Sequence, residues 1–137
     1  MGIRDIEFRA KAVNRDRGYH RTDYKNGEWV YGLITKLYDK QFPTLPAEMR
    51  NEYGVTGIEI DYKTIGQYTG LTDKNGKKIF EGDIVRWCGI KGIVVWEGHK
   101  FYVKSNLLWD FSDDDCIKVI GNVHDNPELL RSDGNDR

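Results

Sequence analysis

The sequence predicts a mainly β protein: a small C-terminal barrel or sandwich, an N-terminal β-hairpin and sheet region, and one or two short helices. Three observations carry this. Apolar and polar residues alternate with period two in several short stretches, the pattern of half-buried strands. Those stretches are rich in aromatic and β-branched residues. Glycine-containing turns separate them at short intervals, as in small barrels and sandwiches.

The first alternation sets Ile6, Phe8, Ala10 and Ala12 against Glu7, Arg9 and Lys11 and predicts a strand. Polar residues 14–18 break it. Tyr19 to Tyr24 forms the next short strand, Asn26-Gly27 a two-residue hairpin turn because both tolerate positive φ, and Trp29-Val30-Tyr31 the returning strand. Residues 37–54 read as a long loop interrupted by Pro43 and Pro46, with Ala47 to Glu52 as one or two helical turns. The Pro43 to Pro46 spacing is that of a minimal proline-rich ligand, but so short a match reads first as a stiff linker.

Ile58, Ile60 and Tyr62 alternate with Glu59 and Asp61 as a further strand, and Thr64 to Thr69 continues extended. Asp73-Lys74-Asn75-Gly76 is a tight turn before Ile79-Phe80, and Glu81-Gly82-Asp83 is a second break. Strands follow at Ile84 to Cys88, Ile93 to Glu97, Phe101 to Ser105 and Ile117 to Val123. Gly89-Ile90-Lys91-Gly92 reads as the loop between the first two. Asn126 to Leu130 predicts a helical turn with Pro127 at its first position. The expected organisation is an N-terminal β region over 1–62, a barrel over 63–130 and a frayed tail over 131–137.

A chain of 137 residues fits one domain or two very small ones sharing a core. With 39% hydrophobic residues and 21 basic against 22 acidic side chains, it has the composition of a folding chain rather than a disordered one. That balance argues against a dedicated polyanion binder, which needs a surplus of cations to displace counterions, although it leaves room for a local basic patch. No apolar stretch approaches the length that crosses a bilayer, and the opening residues lack a hydrophobic signal segment. The expectation is therefore a cytoplasmic protein with Cys88 and Cys116 reduced and not bonded to each other.

If Glu97 and Lys104 face water, strand parity puts Val85, Trp87, Val94, Trp96, Phe101 and Val103 on the inner face as an aromatic core. The outer face then carries Arg86 but also Ile84, Ile93, Val95 and Tyr102. An apolar stripe on a wet face needs a cover, either the N-terminal sheet around Phe8, Trp29, Ile58 and Ile60 or another chain; these four residues are the candidate partner interface, and the expected partner is a second copy of the chain or a host or phage protein. Tyr102, Lys104, Arg86 and Lys100 are the candidate nucleic-acid patch, an aromatic beside cations; the neutral charge balance favours ordinary strand decoration instead.

Other constellations are set aside. Cys88, Cys116, His99 and His124 lie in separate segments without the close ligand pairs of structural zinc sites. No cysteine or serine occupies a nucleophile-exposing turn. Asp110, Asp113, Asp114 and Asp115 lack the glycine and distal glutamate of an EF-hand loop. Gly66, Gly70 and Gly76 fit neither phosphate-loop spacing. No catalytic residue, cofactor or metal is expected.

The run from Thr64 to Val85, TIGQYTGLTDKNGKKIFEGDIV, resembles the YopX family of phage and prophage proteins. The opening Ile6-Glu7-Phe8-Arg9-Ala10 and the closing stretch from Val119 to Leu130, VIGNVHDNPELL, are similar to the same family in the same order. Where that family continues Phe-Arg-Ala with Trp-Asp, this chain has Lys11-Ala12, and residues 32–57 match nothing in it. The resemblance implies a β-rich protein with an SH3-like C-terminal barrel, acting in a bacterial cytoplasm. It supplies no catalytic residue. The expected function is a non-enzymatic phage or prophage accessory protein that binds proteins, itself included. The alternative is a nucleic-acid-binding small barrel.

Overall fold

The computed structural model of the chain describes residues 6–14, 24–37, 47–87, 89–105, 108–110 and 116–130, with 108–110 described by backbone alone. The expected strand from Tyr19 (apart from Tyr24), the Pro43 to Pro46 segment, Cys88, the acidic run 113–115 and the tail 131–137 lie outside these residues. The chain is mainly β, as predicted. Among the described residues ten strands run in the order β1 (Phe8–Ala12), β2 (Trp29–Lys36), β3 (Ala47–Asn51), β4 (Ile58–Thr72), β5 (Lys78–Phe80), β6 (Asp83–Trp87), β7 (Ile90–Glu97), β8 (Lys100–Lys104), β9 (Leu108–Asp110) and β10 (Lys118–Asn122). A single 3-10 turn, Pro127–Leu130, follows where the helical turn is expected. The chain divides into two compact units after Gln67, inside β4; the expected boundary after residue 62 also falls inside that strand.

In the first unit β1 pairs with β2, β2 with β3, β3 with β4 and β4 with β1, all antiparallel, so the four strands form a closed circuit. Ala10, Ala12, Val30, Ala47, Met49, Ile58 and Ile60 fill it, and Phe8, Tyr24, Ile34 and Ile65 pack against them. Three alanines among seven core residues let four backbones approach closely. β1 stays paired with β4 across a shift in register, from Gly66 opposite Arg9 to Asp61 opposite Lys11. Thr64 fills that gap: its hydroxyl accepts from Lys11 N at 2.8 Å and donates to the Asp61 carbonyl at 2.7 Å.

Two expectations are corrected here. Ala47 to Glu52 is not helical: Ala47–Asn51 is strand β3. Its residues are good helix formers, but Ala47, Met49 and Asn51 are buried while Glu48 and Arg50 point away, and period two under tertiary pairing overrides propensity. Asn26-Gly27 does form a turn, closed by Glu28 N donating to the Lys25 carbonyl. However, Tyr24 is not in a strand, and the partner of β2 is β1, with Trp29 opposite Lys11. β2 also runs five residues beyond Tyr31, to Lys36, and β3 takes up part of the expected long loop.

The Asn51 side chain organises the turn after β3. Its Oδ1 accepts from Tyr53 N and Val55 N, each at 2.9 Å, and its Nδ2 donates to the Tyr24 hydroxyl at 3.0 Å.

The second unit is built on a sheet of order β10-β6-β7-β8-β9. The end of β4 pairs with β5, Tyr68 opposite Phe80. Ile79 from β5 joins Val85, Val94, Val103, Ile117 and Val119 in the core, with Trp87 and Phe101 against them. Among the described residues β9 and β10 are the sheet edges and no pairing joins them; the described closure lies in the first unit instead. Inner-face parity holds for Val85, Val94 and Val103, each almost wholly buried. Trp96 departs from the expected core. It lies beside the turn of the β7–β8 hairpin, 47% exposed, and meets Phe101 edge-on with ring centroids 4.8 Å apart.

β7 begins at Ile90, three residues before the expected start. Gly92, which reads in sequence as loop punctuation, lies mid-strand because a Cβ there would come within 2.6 Å of Val103 Cγ1. It marks close packing, not a turn.

Candidate functional site

Antiparallel register fixes which side chains share a face, since residues directly opposite each other point the same way. On the inner face Val119 stands opposite Val85, Val85 opposite Gly92, and Val94 opposite Val103. The outer face follows by alternation. Lys118 stands opposite Arg86, and Arg86 opposite Lys91, so three cations occupy one row across three adjacent strands. The next row holds Ile84, Ile93, Lys104 and, by register, Leu108, and the next Val95, Tyr102 and, by register, Asp110. Glu97 opposite Lys100 follows.

Directly opposed strand residues have their Cβ atoms about 4.5–5.5 Å apart. Like charges so placed repel, and Arg86 and Lys118 are exposed while Lys91 is partly so. Along β8, Lys100, Tyr102 and Lys104 alternate onto this face, placing a cation on either side of the ring; the Lys100 Nζ lies 5.3 Å from its centroid. The chain as a whole carries a net charge of −1. The row of three is therefore a local segregation of charge rather than a consequence of composition.

The apolar stripe foreseen on this face is altered by the geometry. Ile84 has no exposed surface, whereas Ile93, Val95 and Tyr102 are half-buried. Of the expected cationic patch, the structure places Arg86, Lys100, Lys104 and Tyr102 on one face. Sequence reasoning missed Lys91, because it was assigned to a loop, and Lys118, whose neighbour Arg86 lies far away in sequence. The exposed start of the fourth strand candidate, next to a charged outer position on β6, was the available signal.

A second aromatic–cation arrangement lies in the first unit. The Arg9 guanidinium is 4.6 Å from the Trp29 ring centroid and the Lys11 Nζ is 5.4 Å from it. Arg9 is only 5% exposed, so this cluster is engaged within the fold. Among the described residues no group of three or more His, Cys, Asp or Glu side chains is placed to hold a metal ion. Cys116 is exposed. No helix among the described residues is long and apolar enough to cross a membrane.

The charged acceptor with a displaced titration is structural. Burial would raise the Asp73 carboxyl, but hydrogen bonds from the Val119, Lys77 and Asn75 backbone N–H groups, aided by the Lys77 charge, outweigh it and hold the group below its ordinary value of 3.8.

Comparison with known proteins agrees with the fold. The family model described as YopX protein matches residues 7–131. No curated protein matches the chain. Among solved structures, the crystal structure of protein EF1440 from Enterococcus faecalis is similar at 26% identity and a TM-score of 0.50, over 94% of this chain and 100% of that one. Neither name states an activity.

Proposed function

This chain belongs to the YopX protein family, and on that premise we propose that it is a phage or prophage accessory protein that works by binding rather than catalysis, with nucleic acid as its ligand. The observation that carries the reading is the row Lys118, Arg86 and Lys91 across β10, β6 and β7. Three like charges in adjacent register positions concentrate positive charge along one row, and a row of phosphates complements it while releasing counterions. The test is retention on immobilised heparin and on DNA as salt is raised, with the wild type beside the double variant Arg86→Glu, Lys118→Glu. Retention that falls steeply with salt and is lost in the variant supports the reading. Passage of the wild type through both matrices at low salt overturns it.

Self-association is the second reading, favoured by the half-buried Ile93, Val95 and Tyr102. A two-fold contact uses the same patch on both copies. Light scattering on the wild type and Val95→Glu decides it. A mass above the monomer that falls to the monomer in the variant supports association through this face, and a monomeric wild type removes it.

A further inference from the structure

We infer that the outer face of the C-terminal sheet takes single-stranded rather than duplex nucleic acid, with the Tyr102 ring as the platform for one base. The inference rests on the nucleic-acid reading above and adds the form of the ligand and the residue that selects it.

Width decides against the duplex. Five strands in the order β10-β6-β7-β8-β9 span four gaps of about 4.8 Å, roughly 19 Å in all. The major groove of a duplex is about 12 Å wide and admits a helix or a two-stranded ribbon. The basic row crosses three of the five strands and Tyr102 lies on a fourth, β8. A face this wide does not enter the major groove; a duplex lying on it meets the cations through its phosphates, but its bases stay stacked inside, out of reach of the Tyr102 ring. A single strand laid across the face can reach all of them, because its bases are free to turn toward the protein.

The spacing along β8 fits the same ligand. Lys100, Tyr102 and Lys104 share the outer face at every second residue, so each cation stands about 6.8 Å along the strand from the tyrosine. Stacked duplex DNA advances about 3.4 Å per phosphate on each strand, and an extended single strand advances further. Lys104 and Lys100 are then about 13.6 Å apart along the strand, more than one phosphate step, so they meet phosphates on either side of the nucleotide stacked on Tyr102 rather than its two nearest ones. Val95, directly opposite Tyr102, gives the base an apolar floor beside the ring. In the free protein the Lys100 Nζ lies over the ring at 5.3 Å. A stacked base replaces that contact and leaves the ammonium to a phosphate, exchanging an exposed cation–ring contact for the stronger base–ring one.

The test is fluorescence anisotropy of one labelled oligonucleotide, single-stranded and as its duplex, with heparin retention measured in parallel. The proteins are wild type, Tyr102→Phe, Tyr102→Leu and Tyr102→Ala. Tyr102→Leu keeps apolar bulk at the position, so the experiment stands even where the alanine variant does not fold. The expected result is tighter binding of the single strand than of the duplex, with near-wild-type affinity in Tyr102→Phe. Tyr102→Leu then loses about tenfold for the single strand and keeps its heparin retention. Equal or tighter binding of the duplex overturns the inference, as does an unchanged single-strand affinity in Tyr102→Leu; heparin retention that depends on Arg86 would leave the broader reading standing in either case. Absence of both heparin and DNA binding removes the inference and the broader reading together.

Discussion

The Asp73 carboxylate accepts a hydrogen bond from the backbone N–H of Val119 at 3.0 Å, joining residues 46 positions apart. Its other oxygen accepts from Asn75 N at 2.8 Å and Lys77 N at 2.9 Å, so one side chain shapes the turn between β4 and β5 and fastens it to β10. Lys74 N adds a bond to the Ile117 carbonyl beside it. Replacing Asp73 by alanine removes three acceptor contacts, one of them to the buried Val119, and is expected to cost about 2–4 kcal/mol. Chemical denaturation of the two proteins measures it.

The same carboxylate makes that stability depend on pH. Its folded pKa lies below the unfolded value because the backbone donors favour the charged form. The contribution is therefore complete above the unfolded pKa and is lost as pH falls through the folded one. The stability difference between wild type and Asp73→Asn should hold near neutrality and shrink as pH falls below the ordinary carboxylate range and through the lowered folded pKa. A difference that grows toward acid contradicts this account.

Thr64 predicts a contrast between two small substitutions. Thr64→Val keeps the shape but leaves Lys11 N and the Asp61 carbonyl without the hydroxyl that joins them. The expected loss is about 1–3 kcal/mol. Thr64→Ser keeps the hydroxyl and should lose much less. Thermal unfolding of both variants distinguishes a hydrogen-bonding role from a packing one.

Gly92→Ala should destabilise by about 1–3 kcal/mol through overpacking, since the new methyl would meet Val103 Cγ1 at 2.6 Å and the Lys104 carbonyl oxygen at 2.9 Å. Combining it with Val103→Ala should give less than the sum of the two losses, because the second change opens the space the first needs. Additive losses would show that the backbone contact dominates.

Lys118→Gln should raise stability. It removes one like-charge neighbour of Arg86, worth about 0.2–1 kcal/mol at low salt and less as salt screens the row. A lower melting temperature at low salt would mean that Lys118 carries a favourable contact outweighing that repulsion.

These residues also mark how far the sequence could be read. From Thr64 to Val85, strand, turn and strand follow the expected order, because Asp73 to Gly76 is turn chemistry acting over a few residues. The inner positions Val85, Val94 and Val103 are equally legible, since alternation alone determines them. Reading fails where distant partners decide. Ala47 to Asn51 has helical propensity and becomes a strand only because β2 and β4 lie on either side of it. β9, three residues long, has too little pattern to be seen. Trp96 has the right parity, but its position at a hairpin end, which sets its exposure, depends on how the sheet terminates. The basic face was half legible: Arg86, Lys100, Lys104 and Tyr102 are placed by strand parity, while the neighbours of Arg86 depend on a pairing between β6 and β10.

The circuit of the N-terminal unit sets an order on synthesis. β1 needs both β2 and β4 as neighbours, and β3 needs the same two. A nascent chain that has emerged only through Asn51 therefore presents two strands with an unsatisfied row of backbone donors and acceptors, the surface on which chains pair wrongly with one another. Release through Gln67 is what lets the last strand enter and both rows be filled at once. Truncations ending between residues 51 and 58 should accordingly aggregate, whereas chains extending past 67 hold a unit in which every strand already has two partners.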